Sequence, residues 1–194
     1  MIQYAVMGNP IRHSLSPLIH QHFAKQFDLV FEYEKRRVEP AHFEAAVDAF
    51  FKAGGLGLNI TAPLKEQAFL LSQQRTPRCL TARAANTLWQ ADGQYQADTT
   101  DGIGLMRDLN RHLNFMGKRL LILGAGGAVR GILSPLLESG LTSLTIANRT
   151  HTKAIALQKE FDKDASIEVC EFEALKPAYD LIINATGTAF PRLA

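Results

Sequence analysis

The chain has 194 residues, a formal net charge of +2 and 46% hydrophobic residues, which suits one large domain or two small ones with a real core. The near-neutral charge argues against a whole-chain nucleic-acid binder. Two cysteines, Cys79 and Cys170, and six scattered histidines give neither a disulfide framework nor the spacing of a metal site.

No apolar run approaches the length of a membrane span, and Gly8-Asn9-Pro10 interrupts the N-terminal apolar stretch too early for a signal peptide. The expected setting is cytoplasmic, with no nucleic-acid or membrane partner and no metal.

In chain order, residues 3–7 read as a strand ending at Gly8-Asn9-Pro10. Ser16-Pro17 reads as an N-cap followed by proline at the first helical position. The helix that follows carries Leu18, Ile19, His22, Phe23 and Phe27 at helical spacing. Residues 30–38 alternate as a second strand. Pro40 opens a helix with Phe43, Val47, Phe50 and Phe51 on one side, ended by Gly54-Gly55. A third strand, 56–60, turns at Thr61-Ala62-Pro63 into a short helix. Strands alternating with helices imply a largely parallel sheet.

Asp92-Gly93, between apolar-alternating stretches at 87–90 and 95–98, is a hairpin signal. Asp101-Gly102 opens a helix running to about His112, and 114–118 is a polar joint. A second α/β unit follows, with strands near 119–123, 143–147, 167–169 and 180–184. The boundary falls beside the 101–112 helix, giving domains 1–101 and 102–194. The fold class is therefore α/β: a three-layer N-terminal domain plus a Rossmann-type, doubly wound parallel-sheet domain.

The glycine-rich segment Gly124-Ala125-Gly126-Gly127-Ala128 lies between an apolar strand and a helix start. A helix N-terminus there offers unpaired backbone N–H groups to a phosphate, and glycine lets the phosphate come close. The next strand ends in Asn148-Arg149-Thr150. An NAD site usually places Asp or Glu at that point for the ribose 2′-hydroxyl. Arginine flanked by Asn and Thr suits a 2′-phosphate, hence NADP.

Three other stretches follow strands or precede helices. Ser14 and Ser16 lie near exposed N–H groups and could bind a small carboxylate, although Ser16 could simply cap its helix. Thr61 and Lys65 follow a strand end, where ligands bind in open α/β sheets. Lys65 could donate a proton to a carbonyl oxygen or stabilise an alkoxide, although most lysines are merely solvated. Asp101 could cap its helix, or hold Lys65 charged and oriented.

Taken together, these segments resemble the shikimate dehydrogenase family. The matches run in order: Gly8 to Pro17; Asn59 to Lys65, with Ile60 for Val; Asn86-Thr87; Thr99 to Gly102 in part; Gly124 to Arg130; residues 148–150; and Asn184 to Thr186. The resemblance implies that Ser14 and Ser16 hold a substrate carboxylate, that Thr61, Asn86 and Asp101 bind ring hydroxyls, and that Lys65, paired with Asp101, handles the proton. It implies that residues 124–128 hold the pyrophosphate of NADP, that Asn148, Arg149, Thr150 and Lys153 hold its 2′-phosphate, and that Thr186 adjoins the cofactor. The implied reaction is reversible reduction of 3-dehydroshikimate to shikimate by NADPH, in a monomer or homodimer.

Two departures stand out. Arg83-Ala84-Ala85 replaces the family's Gly-Ala-Val, and Thr99 replaces its Asn. The nucleotide domain also reads as incomplete at its C-terminal end, stopping at Pro191–Ala194 after its fourth strand. That leaves two alternatives: a quinate-preferring relative with another cofactor preference, or an inactive fragment that only binds substrate or nucleotide.

Overall fold

The computed structural model describes residues 2–161, 167–175 and 178–186; Pro191–Ala194 lie outside the described residues. The chain forms two compact units, Met1–Thr100 and Asp101–Ala194.

The first unit runs β1 (Gln3–Gly8), α1 (Ser16–Gln26), β2 (Glu32–Arg37), α2 (Phe43–Lys52), β3 (Gly57–Ile60), α3 (Lys65–Leu71), β4 (Gln74–Arg75), α4 (Pro77–Ala82), β5 (Thr87–Ala91) and β6 (Gln94–Asp98). Its strands form one sheet in the order β2-β1-β3-β5-β6-β4. β2, β1 and β3 run parallel, whereas β3-β5 and β5-β6 are antiparallel. The sheet is thus more mixed than the strand–helix alternation suggests, because the hairpin at Asp92-Gly93 sets β5 against the direction of the others. Both turn residues have positive φ, 51° and 73°, as a two-residue hairpin matched to strand twist requires.

Alternation along β1 sorts two faces. Ala5 and Met7 enter the main core with Phe43, Val47 and Phe50 of α2, Ala68 of α3 and Cys79 of α4. Val6, with half-buried Tyr4, packs with Tyr33 and Ile11 on the other face, where the His20 ring of α1 stacks on Tyr33. Helices on both faces of the sheet make three layers. The apolar stripe of α1 contributes no buried residue: Leu18, Ile19, Phe23 and Phe27 are 46–71% exposed.

β4 and α4 escape a sequence reading because they are too short to show a period. Ser16 is also not the cap of α1. Leu15 takes that position without a side-chain cap, and the Ser16 N–H donates to Ser14 Oγ at 3.3 Å.

The second unit runs α5 (Asp101–Leu109), β7 (Arg119–Leu123), α6 (Gly127–Leu137), β8 (Ser143–Ala147), α7 (His151–Phe161), β9 (Ile167–Cys170) and β10 (Leu181–Asn184). α5 stops at Leu109 rather than at His112, and tighter turns follow it. The four strands are all parallel, in the order β10-β7-β8-β9. Counted from β7, this is the 3-2-1-4 arrangement that begins a dinucleotide-binding fold. Leu120 and Ile122 of β7 and Leu144 and Ile146 of β8 pack with Val129, Leu133 and Leu136 of α6 and Leu157 of α7. Arg130 and Glu160, joined at 2.7 Å and mostly buried, tie α6 to α7.

Candidate active site

In the first unit, β1 and β3 are parallel neighbours, so the loops after them emerge at the same sheet end. Backbone bonds fasten these loops together: Thr61 N–H to the Met7 carbonyl at 2.9 Å, and Asn9 N–H to the Ala62 carbonyl at 3.0 Å. The approach is close enough that a Cβ on Gly8 would stand 2.4 Å from Thr61 Cγ2.

Half-buried side chains gather at this end. Ser14 Oγ donates to Ser16 Oγ at 3.1 Å, and Tyr33 Oη donates to Asn59 Oδ1 at 2.6 Å. Ser16 also hydrogen-bonds the Tyr33 phenol. Asn59 Nδ2 reaches the Asn86 carbonyl at 3.4 Å. The Asn86 amide bridges onward: Nδ2 donates to Thr100 Oγ1 at 2.9 Å, while Oδ1 accepts from Thr100 N–H at 3.2 Å and from Thr87 Oγ1 at 2.9 Å.

Lys65 is the first residue of α3, and its carbonyl accepts from Ala85 N–H at 2.9 Å, just before Asn86. Ser14, Ser16, Thr61, Lys65 and Asn86 thus belong to one unit and to linked loops. Asp101 opens α5 in the other unit.

Burial sets the chemistry of two of these groups. It pushes the Tyr33 phenol up to about 12, against the opposing bond from Ser16. It lowers His20, against the opposing bond to Asn59. Both side chains are therefore uncharged near neutrality. Tyr33, His20, Asn59 and Thr87 also line the polar part of a mostly apolar cleft of about 550 Å³. Nothing in the sequence pattern alone gives Tyr33, His20 or Asn59 a site role. A lone tyrosine within the charged run Glu32–Arg37 was the available signal.

Burial also pushes the Cys79 thiol up to about 11, which leaves it unreactive. The two sequence departures have local readings. Arg83 holds a left-handed conformation (φ 48°, ψ 35°) at the end of α4. Thr99 is buried, and its Oγ1 has no hydrogen-bond partner among the described residues.

In the second unit the glycine turn joins β7 to α6. Gly124 has φ +114°, and a Cβ there would meet the Ala185 carbonyl oxygen at 3.0 Å. The turn is thereby pressed against the end of β10, next to Thr186, whose hydroxyl bonds Asn184 Oδ1 at 2.7 Å. This is the reversal point of the strand order, where such folds bind ligands.

Gly126 caps α6 with no side-chain bond, and a Cβ there would meet nothing within 4 Å. The space that a side chain would fill is open to a phosphate, so the turn fits a pyrophosphate. Asn148 follows β8, and its amide donates to the Thr150 carbonyl at 2.8 Å. That bond shapes a turn whose exposed Arg149, Thr150 and Lys153 could hold a further phosphate. Among the described residues no group of His, Cys, Asp and Glu could hold a metal ion, and no helix is long and apolar enough to cross a membrane.

Comparison with known proteins gives matches over most of the chain. A family model for the shikimate dehydrogenase substrate binding domain matches residues 6–88, and one for shikimate/quinate 5-dehydrogenase matches residues 107–194. A shikimate dehydrogenase (NADP(+)) of Legionella pneumophila is 51% identical over 187 residues, covering 96% of this chain and 69% of that protein. Among solved structures, shikimate dehydrogenase from Aquifex aeolicus superposes with a TM-score of 0.87 at 29% identity, covering 96% of this chain and 69% of that one. The Thermus thermophilus shikimate 5-dehydrogenase in complex with NADP(H) and shikimate gives 0.81 at 32% identity, with the same coverage.

Proposed function

The chain belongs to the shikimate dehydrogenase family, and from that premise we propose that it is an NADP-dependent oxidoreductase that reversibly reduces 3-dehydroshikimate to shikimate. The observation that carries the reading is the polar cluster at the shared end of β1 and β3. There, hydroxyl and amide groups suited to a polyhydroxylated acid come together, and Lys65 begins the helix beside them.

In this reading the Ser14 and Ser16 hydroxyls hold the substrate carboxylate, and Thr61, Asn86 and Asp101 bind the ring hydroxyls. The Lys65 ammonium gives a proton to the carbonyl oxygen as it is reduced, and in the reverse direction the neutral amine takes the proton from the hydroxyl. In the second unit, Gly124, Ala125, Gly126, Gly127 and Ala128 receive the pyrophosphate of NADP. Asn148, Arg149, Thr150 and Lys153 receive the 2′-phosphate, and Thr186 borders the site. NADPH, when bound, supplies the hydride; the protein supplies binding, orientation and the proton.

We further read the protein as cytoplasmic, acting on a small molecule with neither nucleic acid nor membrane as partner, and as a monomer or homodimer. The deciding experiment follows NADPH absorbance with 3-dehydroshikimate, in parallel with NADH, and the reverse reaction with shikimate and with quinate. Oxidation of NADPH, but not NADH, dependent on 3-dehydroshikimate is the expected result. Turnover of quinate alone, or equal use of NADH, would replace the substrate or the cofactor assignment respectively.

A further inference from the structure

We propose that Tyr33, supported by His20, is a positioning residue that orders Ser16 and Asn59 before substrate arrives; the proposal rests on the shikimate reading of the polar cluster at the shared end of β1 and β3.

Tyr33 lies on β2 at 8% exposure, in register with Tyr4. Its ring stacks on His20 with centroids 4.3 Å apart and planes at 12°. A phenol has one proton. The 2.6 Å bond to Asn59 Oδ1 uses it, so in the bond between Tyr33 and Ser16 the serine is the donor. Ser14 donates to Ser16 in turn. The donors therefore run one way, from Ser14 through Ser16 and Tyr33 to Asn59.

His20 bonds the Asn59 side chain as well. The Tyr33 donor on Oδ1 settles which end of that amide faces which way, and Nδ2 is left toward the Asn86 carbonyl. A phenol is protonated near neutrality, and burial raises that of Tyr33 further, to about 12, so its proton stays available to Asn59.

A buried tyrosine that merely satisfies its hydroxyl would need one partner. This one joins the serine assigned to the substrate carboxylate with the amide beside the residue assigned to a ring hydroxyl. Holding both in place before binding removes the cost of ordering them during binding.

The test uses the intact chain and equilibrium titration with shikimate and, separately, with NADP. Tyr33→Phe keeps the ring and its stacking but removes the hydroxyl. It should weaken shikimate binding about tenfold, the scale of freeing two ordered side chains, and leave NADP binding unchanged. In an Asn59→Ala background the same substitution should cost at most about threefold, because one of its two targets is gone. A merely structural role would lower thermal stability in both backgrounds and leave shikimate affinity unmoved.

Affinity within about twofold of the parent, or a full tenfold loss repeated in the Asn59→Ala background, overturns the proposal. If Tyr33→Phe does not fold, His20→Phe decides, since it keeps a ring against Tyr33 and removes the imidazole nitrogens beside Asn59. A loss of about threefold supports the assignment, and no change overturns it. If the parent itself fails to bind shikimate, the substrate reading falls, and this assignment with it. If the parent binds and the variants bind equally well, only the role of Tyr33 is lost.

Discussion

The two units build their candidate sites from different parts of the chain. In the first, side chains from β2, β3, α1 and the loop after β1 engage one another, and Asn59 reaches the backbone just before β5. In the second, the backbone of a short turn does the work, and the decisive side chains are the ones that are missing, at Gly124 and Gly126. A side-chain site can tell one small acid from another, because each hydroxyl meets its own partner. A backbone site recognises a group common to many nucleotides, and discrimination is left to neighbours such as Arg149.

The comparison is broken most directly at Lys65. If side chains carry the chemistry of the first unit, Lys65→Ala should lower kcat about a hundredfold or more, in the range of a lost general acid. Shikimate affinity, held by other groups, should change far less. Steady-state rates beside an equilibrium titration separate the two effects. Near-normal turnover would remove Lys65 from the mechanism while leaving the binding cluster intact.

The second unit gives a paired prediction. Gly126→Ala puts a methyl where nothing lies within 4 Å, so stability should move by less than about 1 kcal/mol. The same methyl occupies the phosphate's approach, and NADP affinity should fall about tenfold. Gly124→Ala should do the reverse first. It forces alanine to φ +114° against the Ala185 carbonyl and should cost roughly 1–3 kcal/mol of stability, seen in the thermal midpoint. Equal behaviour of the two variants would mean that the turn has no ligand side distinct from its packing side.

The same contrast explains what could be read in advance. The glycine turn and the Asn148-Arg149-Thr150 stretch are contiguous, so a linear pattern captures them, and the strand order around them follows from short βα connections. The polar chain through Tyr33 is not contiguous. It depends on the parallel register that sets Tyr33 opposite Tyr4 and Asn59 opposite Val6, which spacing alone does not reveal.

Ser16-Pro17 and Thr76-Pro77 make the point within one signal. Both set a hydroxyl residue before proline, and only the first is read from the sequence as a cap. Thr76 does cap α4, accepting from Cys79 N–H at 3.3 Å. Ser16 does not cap α1; its hydroxyl is engaged with Ser14 and Tyr33 instead. A tertiary partner overrode the local rule at a residue assigned to the substrate, where such conflicts are expected.

The smallest expected effect concerns Arg83, which lies near the side-chain site but acts through its backbone. At φ 48° and ψ 35° it closes α4, with its N–H on the Cys79 carbonyl at 3.0 Å. Two residues on, Ala85 N–H holds the Lys65 carbonyl. The family's glycine at this position therefore answers a conformational need rather than a need for space beside a ligand. Arg83→Gly removes left-handed strain of about 1 kcal/mol and loosens the unfolded chain by about half as much, so the protein should gain roughly 0.5 kcal/mol. Turnover should be unchanged, because the turn that fixes Lys65 keeps its shape. Chemical denaturation of Arg83→Gly and Arg83→Ala side by side is the check. Alanine retains the strain without the long side chain, so a loss in both variants would show that contacts of the Arg83 side chain, and not its backbone, hold this turn beside Lys65.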